Sequence, residues 1–294
     1  MEKIFKKYST LCIVSGAVMW GIIGLFVRTL NAAGLDSIQT MMVRCIFAAA
    51  VMFAYLGIFD REKLKVRPRD LWMFFGTGVL SFLIFGCFYF AAIDITSMSV
   101  AAMLLYTSPV FVTLMAAVFF REKITKVKIA AVCATLAGSA LIAGGFGEDA
   151  ISAKGVFYGL MSGFCYALYS IFGRVALKRY STVTITAYTF LFAAAGSIFA
   201  ADLPETAGLV MADLKLVPFA ALFALVTAVL PYILYTGGLK YTSAGRAAVT
   251  ACIEPVVASL AGMVFFHEKM SIGCAVGSVL ILGAVFMQSM AEGK

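Results

Sequence analysis

The chain has 294 residues, 63% of them apolar and only 13% charged, with a mean hydropathy of +1.00 and a formal net charge of +8. A soluble domain of this size needs a charged shell, which this composition cannot supply. The positive charge alone would allow nucleic-acid binding, but its placement along the chain excludes that class.

Apolar blocks of about 20 residues, the length of a spanning helix, follow one another along the chain. In order they predict ten spans, over 9–30, 37–58, 71–93, 97–119, 127–146, 155–177, 182–201, 217–239, 243–265 and 271–290. The first follows Lys3, Lys6 and Lys7, as a signal peptide would. Its apolar stretch is too long for an h-region and it has a counterpart in mid-chain, so it is expected to be a retained helix. The seventh span opens on the polar run Ser181, Thr182, Thr184 and Thr186. The fourth and ninth are less purely apolar than the others.

Lys and Arg cluster in alternate loops, as the positive-inside rule requires. With the N-terminus inside, the inner segments carry seventeen of them, from Lys3 through Arg61–Arg69, Arg121–Lys128, Lys178, Arg179, Lys240 and Arg246 to Lys294. The outer segments carry four: Arg28, Lys154, Lys215 and Lys269. A solvated basic inner face accounts for the charge. The expected partners are a small-molecule substrate and the lipid bilayer, with no nucleic acid, in a monomer or homodimer. The seven cysteines all fall in apolar spans and form no CxxC pair, so they read as small packing residues.

The most informative pattern is an offset of 146 residues. Tyr89, Thr96, Ser97, Ala101, Ala102, Pro109, Val110, Leu114, Val118, Phe119, Phe120, Glu122 and Lys123 recur, in that order, from Tyr235 and Thr242 through Pro255 to Phe266, Glu268 and Lys269. The same offset sets Trp20 on Tyr166 and Arg28 on Arg174. Apolar composition does not explain the repeated proline or the Phe-Phe-x-Glu-Lys run. The whole half is therefore duplicated, as 1–146 and 147–294, with five spans in each. Five is odd, so the second half enters from the opposite side. The expected fold class is an all-α integral membrane protein of ten helices in two inverted five-helix repeats, a common build of secondary transporters.

Trp20-Gly21, Ser108-Pro109 with Phe119-Phe120-Arg121-Glu122, and Glu254-Pro255 with Phe265-Phe266-His267-Glu268 carry a resemblance to the EamA family of the drug/metabolite transporter superfamily. The resemblance spans nearly the whole chain. It implies a ten-helix bundle with both termini cytoplasmic, a central substrate cavity, and an exporter or exchanger role. It fixes no substrate. The short loops and the lack of a targeting segment predict a prokaryotic cytoplasmic (inner) membrane.

Glu254 is the one acidic residue well inside an apolar span, whereas Asp94 sits at a span edge. An ionisable group at bilayer depth is costly and so a functional candidate, here for proton coupling. The competing reading is support for the backbone at Pro255. Pro109 and Pro255, at equivalent points, are candidates for a hinge or helix break. Arg44 is unmatched, opposite Phe190. It can hold a carboxylate or phosphate bidentately, snorkel, or pair with Glu254 or a helix end. Glu254 is itself opposite Ser108, and such departures from the repeat are where substrate chemistry can be written. Trp20, Tyr89, Tyr106, Tyr166, Tyr169 and Tyr235 are candidate cavity aromatics, with Ser108 beside them. Arg28 and Arg174, near span ends, are expected to snorkel. Glu122 and Glu268 are expected as loop and cap residues beside the N-caps Thr125 and Ser271. Gly273-x3-Gly277 and Ala134-x3-Gly138 predict close helix contacts within the chain.

The single histidine, His267, lies in a loop, and no cluster of nucleophile, base or metal ligands exists. No enzyme activity, cofactor or metal is expected, and no Walker A motif supports ATP-driven transport. A channel or receptor does not predict two inverted halves. The expectation is a secondary transporter that exports amino acids or similar amphipathic metabolites by alternating access. The alternative is a carrier of nucleobases, nucleotide-sugars or drugs, working as a uniporter or exchanger.

Overall fold

A computed structural model describes residues 2–144 and 152–291. The expected junction at 146/147, the end of the fifth expected span, and Lys294 lie outside the described residues. Among those residues the protein is all-helical, 84% helix with no strand. The main series is α1 (Ser9–Ala32), α2 (Ser37–Phe59), α3 (Pro68–Ile95), α4 (Met98–Phe120), α5 (Lys126–Ile142), α6 (Ala153–Ala176), α7 (Thr182–Ser197), α8 (Leu216–Leu239), α9 (Ala244–Phe266) and α10 (Ile272–Met290). Eight of these are long and apolar enough to cross a membrane. The other two are α5, of 17 residues, and α7, of 16. The helix α7 stops at Ser197 in a turn, short of the expected 201. A short helix, Glu2–Lys7, precedes the series, and another, Leu203–Ala212, lies between α7 and α8.

Helix starts are written in the sequence. Asp36 and Gln39 form a reciprocal capping box at α2, with bonds of 2.7 and 2.9 Å. Ser97 and Ser243 accept from the backbone N–H groups of Val100 and Arg246. Thr125 and Ser271 accept from those of Lys128 and Cys274, as expected for N-caps. These four caps are two pairs at the 146-residue offset. Helix ends follow the same spacing. Arg121 and His267 close α4 and α9 in the left-handed region, each at φ 54°. For a non-glycine residue that backbone costs about 1–2 kcal/mol.

Two kinds of interruption are also paired, whereas the break of α1 at Ile22 has no counterpart in α6. The helix α4 breaks at Tyr106 and Thr107, and α9 at Cys252 and Ile253. Pro109 and Pro255 each fall in the first turn of the helix that resumes. There a missing N–H costs little, so each proline starts a half-helix instead of kinking a continuous one. Wide π-helical turns over Gly76–Leu83 in α3 and Leu225–Val229 in α8 end at equivalent positions.

Packing joins the halves. The helix α1 packs on α8, as α6 packs on α3, and α2 packs on α7. The helices α5 and α10 meet through small residues. A Cβ on Gly277 would come within 2.4 Å of the Gly138 carbonyl oxygen, so only glycine permits that approach. The expected close contacts at Gly138 and Gly277 therefore lie within the chain.

Candidate functional site

Contacts define two ends of the bundle. At one end, α1 turns into α2 and α3 into α4, and Gly155 at the start of α6 lies against Thr96. At the other, the Thr184 hydroxyl donates to the Lys63 carbonyl at 3.0 Å, and that of Tyr188 to Leu64 at 2.8 Å. Here the buried Asp70 accepts from Arg179 at 2.5 Å and from the Tyr180 hydroxyl at 2.6 Å. Burial and that bond to Asp70 push the Tyr180 hydroxyl above its ordinary pKa.

A cavity of about 590 Å³ runs from the bundle centre to the first end, where Asn31, Asp36, Asp94 and Met98 rim its mouth. Its volume lies in the range of small-molecule sites. The deep wall is aromatic: Trp20, Phe82, Phe85, Tyr89, Tyr106, Tyr166, Phe223 and Tyr232. Two charged side chains reach it, Arg44 from α2 and Glu254 from α9.

Each charge is positioned by an irregularity of the backbone. Arg44 donates through Nη2 to the carbonyl of Thr227, within the π-helical turn of α8. Its Cζ lies 5.3 Å from the Phe82 ring centroid and 5.9 Å from that of Phe223. Its Nε is buried with no hydrogen-bond partner. Glu254 is the first residue of the half-helix that resumes after the break in α9. A carboxylate is favoured there by the helix dipole. The Tyr166 hydroxyl stands 3.5 Å from Glu254 Oε2, a long contact. Among the described residues no ion pair within 4.0 Å joins Arg44 to Glu254.

Of the residues singled out in the sequence, Trp20, Arg44, Tyr89, Tyr106, Tyr166 and Glu254 line this one cavity. Tyr169, Tyr235 and Ser108 do not. Tyr169 shares a 2.6 Å hydrogen bond with Thr236, and Tyr235 one of 2.7 Å with Ser170. Both rings sit behind Trp20 and Tyr232, on the side away from the mouth. Ser108 is buried at the start of the resumed half-helix of α4. Sequence reasoning missed Tyr232, whose ring is 5.2 Å from Trp20, 4.9 Å from Tyr169 and 5.0 Å from Phe190. Its repeat mate is Gly86. The departure from symmetry that singled out Arg44 and Glu254 applies to it equally.

The structure adds partners to two expectations. Arg28 and Arg174, expected to snorkel, each carry an ion pair: Arg28 with Glu268 at 2.7 Å and Arg174 with Glu122 at 2.8 Å. Glu122 is more than a loop or cap residue. It is bonded to Arg174, to Lys128 at 2.9 Å and to the backbone N–H of Ala244 at 2.9 Å.

Comparison with known proteins agrees with this architecture. The sequence model of the EamA-like transporter family matches residues 7–144 and 153–290. The chain therefore belongs to the EamA-like transporter family. An uncharacterized transporter of Archaeoglobus fulgidus is 29% identical over 281 residues, which cover 96% of each chain. The transporter YxxF of Bacillus subtilis is 24% identical and matches 95% of this chain and 89% of its own. The inner membrane transporter YicL of Salmonella typhimurium is 22% identical and matches 95% of this chain and 94% of its own. A crystal structure with 18% identity superimposes with a TM-score of 0.79, covering 97% of this chain and 98% of that one, and shows the fold. Family, relatives and apolar helices support an integral membrane transporter of small molecules.

Proposed function

We propose that this chain exports amino acids or similar amphipathic metabolites by alternating access. The observation that carries the proposal is the pairing in the deep cavity of one guanidinium with one carboxylate, not bonded to each other, on aromatic walls. Arg44 suits a substrate carboxylate and Glu254 an ammonium group, while the rings receive an apolar side chain. Glu254 also serves as a proton acceptor when the substrate leaves, which couples export to proton entry.

In this proposal ten spans form two inverted halves, residues 1–146 and 147–294, with both termini in the cytoplasm of a prokaryotic cell. The repeat of caps, breaks and π-helical turns at one offset supports the duplication. The start of α6 beside Thr96, at the end where α1 finishes, supports the inversion. With the basic loops inside, the cavity mouth faces outward. The aromatic wall also favours planar nucleobases or drugs, which form the second reading.

The test begins with detergent-purified protein and a thermal-shift screen of amino acids, nucleobases, nucleotide-sugars and cationic dyes. Bound compounds then enter a liposome flux assay with and without a pH gradient. Stabilisation by an apolar amino acid, and flux driven by the gradient, is the expected result. Stabilisation by nucleobases or dyes alone moves the assignment to the second reading.

A further inference from the structure

The ion pairs of Arg28 and Arg174 are related by the repeat and cross between the halves. Arg28 of the first half meets Glu268 of the second, and Arg174 of the second meets Glu122 of the first. Each arginine lies on the equivalent ring: its Cζ is 3.7 Å from the Phe266 centroid in one case and 5.3 Å from that of Phe120 in the other. They differ in what else they hold.

At the closed end Glu122 is 11% exposed and knits three elements together. It accepts from Arg174, from Lys128 and from the Ala244 N–H, while Arg174 also donates to the Thr242 carbonyl at 3.0 Å. The carboxylate thereby ties the end of α4 to the start of α9, and these half-helices pack together there. At the mouth the mirror half-helices, 254–266 and 98–105, lack such packing among the described residues. Among the described residues Glu268 holds Arg28 alone, and the two side chains are 53% and 56% exposed. The repeat mates of Thr242 and Ala244 are Thr96 and Met98. Met98 is 68% exposed on the cavity rim.

We propose that Glu122 and Glu268 are alternating latches of the transport cycle, each locking one end when its acceptor oxygens reach the backbone at the start of the facing helix. In the structure Glu122 is latched and Glu268 is not. When the mouth closes, Glu268 accepts from the Met98 N–H and Arg28 donates to the Thr96 carbonyl, while Glu122 releases Ala244. The arginine of each pair stays with its carboxylate in both states, so the charges are never left bare. Lys128 has no counterpart, since its repeat mate is Cys274. The closed-end latch is therefore the stronger, and the mouth-open state is the resting one. This rests on alternating access but on no particular substrate.

Spin-label distances test it in a background whose seven cysteines are alanine. One label pair, Ile95→Cys with Ile272→Cys, spans the mouth. Its repeat mate, Tyr241→Cys with Lys126→Cys, spans the closed end. Double electron–electron resonance is recorded in liposomes with and without the compound found by thermal shift. Glu122→Gln is expected to shorten the mouth distance and lengthen the other, shifting the population ratio about tenfold, as loss of a charge-assisted bond implies. Glu268→Gln, at a half-exposed position that tolerates the change, is expected to deplete the mouth-closed state. The latch assignment is overturned if the parent shows both distances yet Glu268→Gln leaves their ratio unchanged or moves it the way Glu122→Gln does. A parent with one distance under every condition refutes alternating access itself, and the latches with it.

Discussion

Arg44→Met is the most informative single change. The guanidinium has five N–H donors. One Nη is bonded to the Thr227 carbonyl, and Nε is buried without a partner. The side chain lines a cavity that contains no other basic side chain among its lining residues. A substrate carboxylate therefore meets a guanidinium already fixed by a main-chain bond and by the rings of Phe82 and Phe223. Methionine retains apolar bulk against those rings and removes the charge. A hydrogen bond to a charged group contributes about 1.5–3 kcal/mol, so affinity for an amino acid should fall roughly ten- to a hundredfold. Of the two tryptophans, Trp20 lines the cavity and Trp72 is 50% exposed. A Trp72→Phe background thus makes Trp20 fluorescence a titration signal for binding. The corresponding amine, lacking the carboxylate, should bind parent and variant equally. Equal affinity of the amino acid for the two proteins would refute the role given to Arg44.

Glu254→Gln should leave substrate flux insensitive to an imposed pH gradient, measured in liposomes; gradient-stimulated flux equal to that of the parent removes Glu254 from proton coupling. Gly277→Ala brings a Cβ to 2.4 Å from a backbone oxygen, whereas at Gly283 nothing lies within 4 Å. The first change should cost about 1–3 kcal/mol by overpacking, and Gly283→Ala should gain up to about 1 kcal/mol of helix propensity. Thermal unfolding in detergent reads both, and shifts of the same sign contradict the contact geometry. Asp70→Asn removes the charge from a carboxylate that is 2% exposed, though its partner Arg179 is 55% exposed and solvent-screened. The loss should be about 1–2 kcal/mol, and an unchanged melting temperature shows that the Arg179 bond contributes nothing.

The membrane class, the order of the helices and the repeat were legible because each rests on one-dimensional patterns. Apolar runs long enough to span appear directly, and Thr125, Ser271 and the two prolines mark boundaries wherever they occur. Two simple filters, depth in a span and departure from the repeat, singled out Arg44 and Glu254, and aromatic character inside a span singled out Trp20, Tyr89, Tyr106 and Tyr166. What the sequence did not place shares a cause. Tyr169 and Tyr235 are tyrosines inside apolar spans, as Tyr166 is, and only their positions along and around their helices turn them onto Thr236 and Ser170. Arg28, Arg174, Glu122 and Glu268 were each read against their own segment. Their partners are 240 and 52 residues away in sequence, and no local pattern names such a pair. The repeat contained the clue, since both members of each pair recur together. The length of α7 also escaped, because a turn, not hydropathy, ends it.

The most direct test of the central claim is counterflow. Purified protein in liposomes preloaded with the unlabelled amino acid found by thermal shift is diluted into a trace of the labelled compound. A carrier with the cavity described here should accumulate label transiently above its external level. The overshoot should saturate with substrate and vanish in Arg44→Met. Label that merely equilibrates, without saturation and equally in parent and variant, contradicts the account.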